Sequence, residues 1–249
     1  MQEIISIIES HFKRFDDFIV GFADMKRLLE NYSFQYGIVI GQRLENSIVD
    51  TIINAPTIEY YNHCKNVNKN LSELIHRIEN FIILKGYKCK IVEPSDDNKT
   101  KSENSQQPLR TSISHKMVAT RAGLGWIGKT DLLITKKFGP RLRLVSLLTD
   151  YPINQTGQAI NKSKCGKCVK CISACPATAG NGRLWDIHTN RDVFFDVNKC
   201  RAKCVELTKK YLNLDSATCG ICVSVCPMGM KNKKPACNEQ FNESGGVDS

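Results

Sequence analysis

The sequence predicts an α+β protein: a mixed α/β half followed by a small ferredoxin-like module built around two [4Fe–4S] clusters. Three observations carry that prediction. Eight of the twelve cysteines fall in two closely spaced runs near the C-terminus. Ahead of them, short β-branched segments bounded by glycine alternate with stretches of three- and four-residue apolar periodicity. No apolar run approaches the roughly 20 residues that a membrane-spanning helix requires, so no membrane association is expected. At 249 residues and 41% hydrophobic content the chain can bury a sizeable core in one or two domains.

The elements follow in chain order. Residues 3–15 place Ile4, Ile7, Ile8 and Phe12 on one helical face. Glu3 and Glu9 stand where a secretory signal would be basic, so this segment reads as mature helix and the chain as cytoplasmic. Phe18–Phe22 and Tyr36–Gly41 read as short buried strands, with Asp24 capping a short helix through Leu29. Pro56-Thr57 opens the longest helix, on which Ile58, Tyr61, Val67, Leu71, Leu74, Ile78 and Phe81 recur up to a stop at Gly86. Tyr87–Val92 reads as a strand, and the polar, unpatterned residues 95–108 as a mobile loop. A helix over Thr111–Ala122 leads into the glycine-rich Gly123–Lys129. Strands Leu132–Thr135 and Leu142–Leu148 follow, joined by a turn at Phe138-Gly-Pro140. The expected organisation is an α/β domain over 1–155, a cluster domain over 156–234, and a disordered tail over 235–249.

The first cysteine run is Cys165-x2-Cys168-x2-Cys171-x3-Cys175-Pro176; the second is Cys219-x2-Cys222-x3-Cys226-Pro227, with Cys200 upstream. In runs of this kind three thiolates wrap one iron–sulfur cube, and the fourth, followed by proline, ligates the other. Cys165, Cys168, Cys171 and Cys226 are therefore expected to hold one [4Fe–4S] cluster. Cys219, Cys222 and Cys175 are expected to hold the second. Its fourth ligand is open, because Ser216 occupies the position where a regular run has cysteine. Cys200 is the leading candidate and Cys204, one helical turn later, its rival. Cys-x2-Cys pairs also bind zinc, but the crossed spacing twice over favours clusters. Cys64, Cys89 and Cys237 are scattered and read as small buried thiols. Oxygen-sensitive clusters and many unpaired thiols suit a reducing compartment.

The formal charge is +10, which two clusters at about −2 each would reduce to about +6. It is unevenly placed: residues 1–109 carry a net −2, residues 110–234 a net +15 and the remainder −3. The basic half could steer an acidic redox partner or a polyanion, or simply offset the clusters.

Gly123-Leu-Gly-Trp-Ile-Gly128 matches a dinucleotide fingerprint, but it follows a helix and precedes a strand, the reverse of a Rossmann turn. Its glycines instead allow close approach of the backbone to a bulky ligand or to another part of the chain. Arg121-Ala-Gly-Leu-Gly-Trp-Ile-Gly-Lys129, Leu132-Leu-Ile-Thr135, Phe138-Gly-Pro140 and Leu147-Leu-Thr-Asp150, followed by the double cysteine run, resemble epoxyqueuosine reductase and the wider group that includes the reductive dehalogenases. Ser114-His-Lys116 and Pro56-Thr-x-x-Tyr-Tyr61 are similar to the short forms. The resemblance implies a nitroreductase-like α/β domain that holds a cobalamin, with the two clusters feeding electrons to its cobalt and a nearby acid supplying a proton. Carried over by position, Lys116, Arg121, Gly123, Gly125, Gly128 and Lys129 would line the corrin.

Two features depart from that group. Its acidic stretch ahead of the helix is replaced here by Pro108-Leu-Arg-Thr-Ser-Ile-Ser-His115, which contains no acid, so His115 is the candidate proton donor. The helical repeat with which full-length epoxyqueuosine reductases help bind tRNA does not follow the clusters, which makes tRNA a doubtful substrate. Trp126 could shield the cofactor or a cluster, or merely fill the core. Trp185, Phe194 and Phe195 are expected to cover the second cluster. The function that follows is a cytoplasmic reductase of a small molecule or modified nucleoside, fed by a donor such as a ferredoxin or flavodoxin. An electron-transfer protein serving a partner oxidoreductase is the alternative, and a nucleic-acid-binding iron–sulfur protein a weaker third.

Overall fold

A computed structural model describes residues 1–26, 34–95 and 113–230. Four strands form one antiparallel sheet: β1 (Phe18–Asp24), β2 (Tyr36–Arg43), β3 (Cys89–Val92) and, later in the chain, β6 (Leu142–Thr149). Their spatial order is β1-β2-β6-β3, in a register that sets Gly21 opposite Val39 and Ile38 opposite Leu147. Period-2 alternation sends the two faces of β2 and β6 into different cores. Ile38, Ile40, Val145 and Leu147 face one layer of helices; Val39, Leu142 and Leu148 face the other.

The first layer is α1 (Gln2–His11), α2 (Asn46–Val49) and α3 (Ile58–Leu84). The Thr57 hydroxyl accepts from the Tyr60 N–H and caps α3, which ends at Gly86 with a left-handed φ of +83°. Its buried stripe runs from Tyr60 through Leu71, Leu74, Ile75 and Ile78 to Ile82, close to the expected face; Ile58, expected on it, is exposed. Tyr60 and Tyr61 are packing residues, and Tyr60 seats against Gly220. The opposite layer is α4 (His115–Arg121), capped by the Ser114 hydroxyl accepting from the Met117 N–H. Val118, Ala119 and Ala122 press it onto the sheet.

A second, two-stranded sheet pairs β4 (Gly125–Ile127) with β5 (Leu133–Thr135). The glycine-rich motif is thus itself a strand, which its composition had concealed. Beyond β6 the chain has little regular structure: α5 (Lys170–Ser173), α6 (Val197–Leu212, capped by Asp196) and α7 (Ile221–Ser224) carry or flank the cysteines. The two halves share one core, because Leu207, Ile221 and Val223 join the cluster formed by α1, α3 and the sheet. Arg141, fully buried, ties them together by donating to Asn46 Oδ1, Asp50 Oδ1 and the Ser224 carbonyl at 3.1, 2.7 and 3.0 Å. The expected loop over 95–108, the helix reaching Leu29 and the tail over 235–249 lie almost wholly outside the described residues, as does Cys237. At the start of the expected helix, Asp24 accepts from the Lys26 N–H. No helix among the described residues is long and apolar enough to cross a membrane.

Candidate redox site

The expected ligand cysteines lie in two neighbouring groups. Cys171 and Cys226 each lie in the electrostatic reach of Cys165 and Cys168, which brings the four expected ligands of one cluster together. Burial pushes the Cys226 thiol up to about 11 and that of Cys171 also upward. Around the second group, the Cys204 thiol bonds to Cys200 and Cys219, with the Cys200 and Cys204 sulfurs 3.9 Å apart. Those contacts raise Cys204 and lower Cys200, and they lower Cys219 to about 7. Cys200 and Cys175 pack together against Ala179, Trp185, Phe194 and Phe195, the apolar cover expected for the second cluster. Cys222, partly buried, feels both Cys219 and Cys171, so the two groups adjoin. Among the described residues no three acid, His or Cys side chains converge tightly enough to hold a single metal ion directly.

Of the two close approaches the glycine-rich segment allows, the structure shows the one to another part of the chain. A Cβ on Gly123 would lie 2.6 Å from the Gln158 carbonyl oxygen, and one on Gly125 would lie 2.2 Å from that of Ile134. At Gly128 it would meet the Ile134 side chain at 2.8 Å. The close approach these glycines permit is therefore to the chain's own β4–β5 and following segments. Arg121 is spent on the Ile160 carbonyl and Asn161 Oδ1, at 2.9 and 2.6 Å, and Lys129 is buried. Of the six residues carried over to a corrin, only Lys116 lines the large cleft of the molecule.

What the segment does present are polar groups near sulfur. Trp126 Nε1 donates to Cys165 Sγ at 3.3 Å, and the buried Thr130 hydroxyl acts on both Cys171 and Cys222, favouring the thiolate of each against the effect of burial.

The cleft has a volume of about 710 Å³ and lies between the sheet, α4 and the cluster module. One wall is apolar, with Leu132, Leu133, Leu142, Trp185 and Phe194; His115, Lys116, Asp131, Arg143 and Arg191 supply polar groups. His115 does not serve as the expected acid. Its Nε2 faces the Glu93 carbonyl at 2.9 Å, an acceptor only, so Nε2 carries the proton and Nδ1 accepts from the Ser146 hydroxyl at 3.0 Å. Burial drives its pKa down to about 4, leaving a neutral ring with both nitrogens engaged. An acidic side chain not singled out in the sequence, that of Asp131, also lines the cleft. Its left-handed φ of +58° closes the turn after Gly128 and aims the carboxylate at Lys116 Nζ, 2.5 Å away. Lys116 also donates to the Asp131 carbonyl at 2.8 Å. The negative charge of Asp131 is felt at Cys200, so the pair stands between the cleft and the second cysteine group.

Residues 164–229 match the 4Fe–4S double cluster binding domain, which assigns the cysteine module to iron–sulfur clusters. An epoxyqueuosine reductase of Synechocystis sp. is 32% identical over 125 residues, covering 49% of this chain and 42% of that protein. Two solved structures share the fold. One is a reductive dehalogenase whose structure suggests a mechanism for B12-dependent dehalogenation (TM-score 0.61, 18% identity, 86% of this chain and 30% of that one). The other is an epoxyqueuosine reductase with an epoxyqueuosine-modified tRNA-Tyr stem loop (TM-score 0.54, 17% identity, 92% of this chain and 64% of that one). The chain spans less than half the length of the curated relatives it matches. It is thus an epoxyqueuosine reductase-like iron–sulfur protein with the fold shared by those enzymes and the reductive dehalogenases.

Proposed function

We propose that this protein is a cytoplasmic reductase in which two [4Fe–4S] clusters deliver electrons to a substrate held in the cleft beside Lys116 and Asp131. One observation carries the reading: Trp185 and Phe194 line the cleft and belong to the apolar cluster against which Cys175 and Cys200 pack. The same cluster of side chains thus borders both the expected ligands of the second cluster and the place where a substrate would sit.

The reaction class is a two-electron reduction, one electron through the clusters at a time, with protons added to the product. Lys116 and Asp131 form the proton-handling pair at the cleft, taking the place proposed in the sequence for His115. Arg143 and Arg191 suit an anionic or hydrogen-bonding substrate such as a modified nucleoside. The basic half of the chain leaves tRNA as a candidate carrier of that nucleoside. Electrons enter at the other end, where exposed Lys162, Lys164, Lys167 and Lys170 surround Cys165 and Cys168. Such a collar favours an acidic low-potential donor of the ferredoxin or flavodoxin kind.

Cobalamin, if bound, would rest on the cleft lining rather than on the glycine motif. Apolar residues such as Leu132, Leu133 and Trp185 could carry a macrocycle, and Lys116, Arg143 and Arg191 could hold its amide rim. When bound, it would supply a strongly reducing metal centre. This chain's residues would keep that centre dry, orient the substrate and provide the proton.

The test is anaerobic titration of the protein, loaded with eight iron per chain, with cob(II)alamin while its spectrum is recorded. Stoichiometric binding, weakened in Lys116→Met, is expected. No binding with all eight iron present removes cobalamin and leaves the electron-transfer protein as the better reading.

A further inference from the structure

Trp126 and Thr130 belong to no expected catalytic or ligand set, yet both are buried and both donate to cysteine sulfur. Their placement is built into the fold. The pairing of β4 with β5 fixes Trp126 opposite Ile134, and Gly125 lets the two backbones come close enough for it. Thr130 lies in the turn between these strands, which Asp131 closes by donating its N–H to the Gly128 carbonyl at 3.0 Å. The direction of the indole N–H toward Cys165 is set by the strand. The Thr130 hydroxyl has one proton for two sulfurs, one from each cysteine group.

We propose that Trp126 and Thr130 set the reduction potentials of the two clusters, Trp126 acting on the cluster bound by Cys165 and Thr130 on both. They are positioning residues for electron transfer, not catalytic ones. The physical basis is charge. Adding one electron to a [4Fe–4S]²⁺ cluster makes it more negative, and part of that charge resides on the thiolates. A fixed donor to sulfur stabilises the reduced state more than the oxidised one and raises the potential. With two donors on the Cys165 group and one shared donor on the other, the entry cluster is held above the cleft cluster. That ordering collects electrons from the donor at one end while keeping the cluster beside the cleft strongly reducing. Each electron comes from an external low-potential one-electron donor, and no bond is formed or broken.

The inference rests on the cysteines holding two clusters but not on the substrate or on cobalamin. The experiment is an anaerobic redox titration with dithionite, followed by electron paramagnetic resonance, of wild type, Trp126→Phe and Thr130→Val, with Thr130→Ser as the rescue. Iron is counted in every sample. In Trp126→Phe one cluster should become about tenfold less reduced at fixed potential, a downward shift of about 59 mV for a one-electron couple, with the other unmoved. Thr130→Val should lower both, and Thr130→Ser should restore them. Eight iron per chain with unchanged potentials in Trp126→Phe and Thr130→Val overturns the proposal. Fewer than eight in wild type refutes the two-cluster reading instead. If a variant loses a cluster, pulsed resonance on wild type after exchange into deuterium oxide decides. An exchangeable proton coupled to the first cluster supports the Trp126 bond, and its absence overturns it.

Discussion

Gly139 offers a direct test of how the α/β half seats the cysteine module. It lies in the turn between β5 and β6 with φ at +56°, and a Cβ there would sit 1.9 Å from the Met228 carbonyl oxygen. Gly229 meets Phe138 as closely from the other side. Met228 follows Cys226-Pro227, so a side chain at 139 pushes directly on the segment that brings Cys226 to the first cluster. Gly86 is the internal control, with φ at +83° and nothing within 4 Å of an added Cβ. Gly86→Ala carries only the left-handed backbone cost, about 1–2 kcal/mol. Gly139→Ala carries the same cost plus overpacking of about 1–3 kcal/mol. For a chain of this size those values correspond to losses of about 2–8 °C for Gly86→Ala and about 4–20 °C for Gly139→Ala. The assay is anaerobic thermal unfolding together with iron analysis. Gly86→Ala should keep about eight iron per chain, whereas Gly139→Ala should fall toward four as Cys226 is displaced. Equal melting and equal iron in the two variants would refute the argument, because it would mean that the 139–228 contact transmits nothing.

Two further outcomes follow from the site. Cys200, which packs with Cys175 against the cluster containing Phe194 and Trp185, is the expected eighth ligand; Cys204 is a thiol that shares hydrogen bonds with its cysteine neighbours. Iron analysis should therefore show Cys200→Ala losing about half the iron and Cys204→Ala keeping it, and the reverse pattern would exchange the two roles. His115 has a folded pKa near 4, below its usual 6.5, so protonation favours the unfolded chain. Its contribution is complete above pH 6.5 and is lost as pH falls toward 4, up to about 3 kcal/mol from the 1.36 kcal/mol per pKa unit of linkage. Stability of His115→Gln measured across that window should be flatter than wild type, and an unchanged slope would mean that the ring is already charged.

Local signals were legible and non-local ones were not. Thr57 and Gly86 bounded α3 because a cap and a left-handed stop act within one turn of the chain. The crossed cysteine spacing was equally readable, since cluster geometry dictates it. The order β1-β2-β6-β3 was hidden, because β6 inserts between strands that precede it by a hundred residues or by fifty, and no local pattern encodes that pairing. Asp131 was missed for a related reason. Its sequence neighbours Thr130 and Leu132 give no hint of Lys116, which lies on α4 and reaches it only once β4 and β5 pair. The available signal was that Asp is one of the few residues that tolerates a left-handed φ, so Gly128-Lys-Thr-Asp131 could be read as a turn.

The glycine-rich segment shows how a motif can be recognised while the group it approaches stays open in the sequence. Its glycines do mark close approach, but the approaching group is the Gln158 and Ile134 backbone rather than a cofactor. That packing brings Trp126, Thr130 and Asp131 into line along one edge, facing Cys165, then Cys171 and Cys222, then Cys200. A segment that contributes to the α/β half thereby contacts ligands of both clusters, and Lys116 extends the line into the cleft. The shared core of Tyr60, Leu207, Ile221 and Val223 makes the arrangement rigid, because neither half can shift without opening it. In the proposed function, electron delivery and proton delivery would both be positioned by this one turn of chain, so a change at Gly125 or Gly128 should disturb both together.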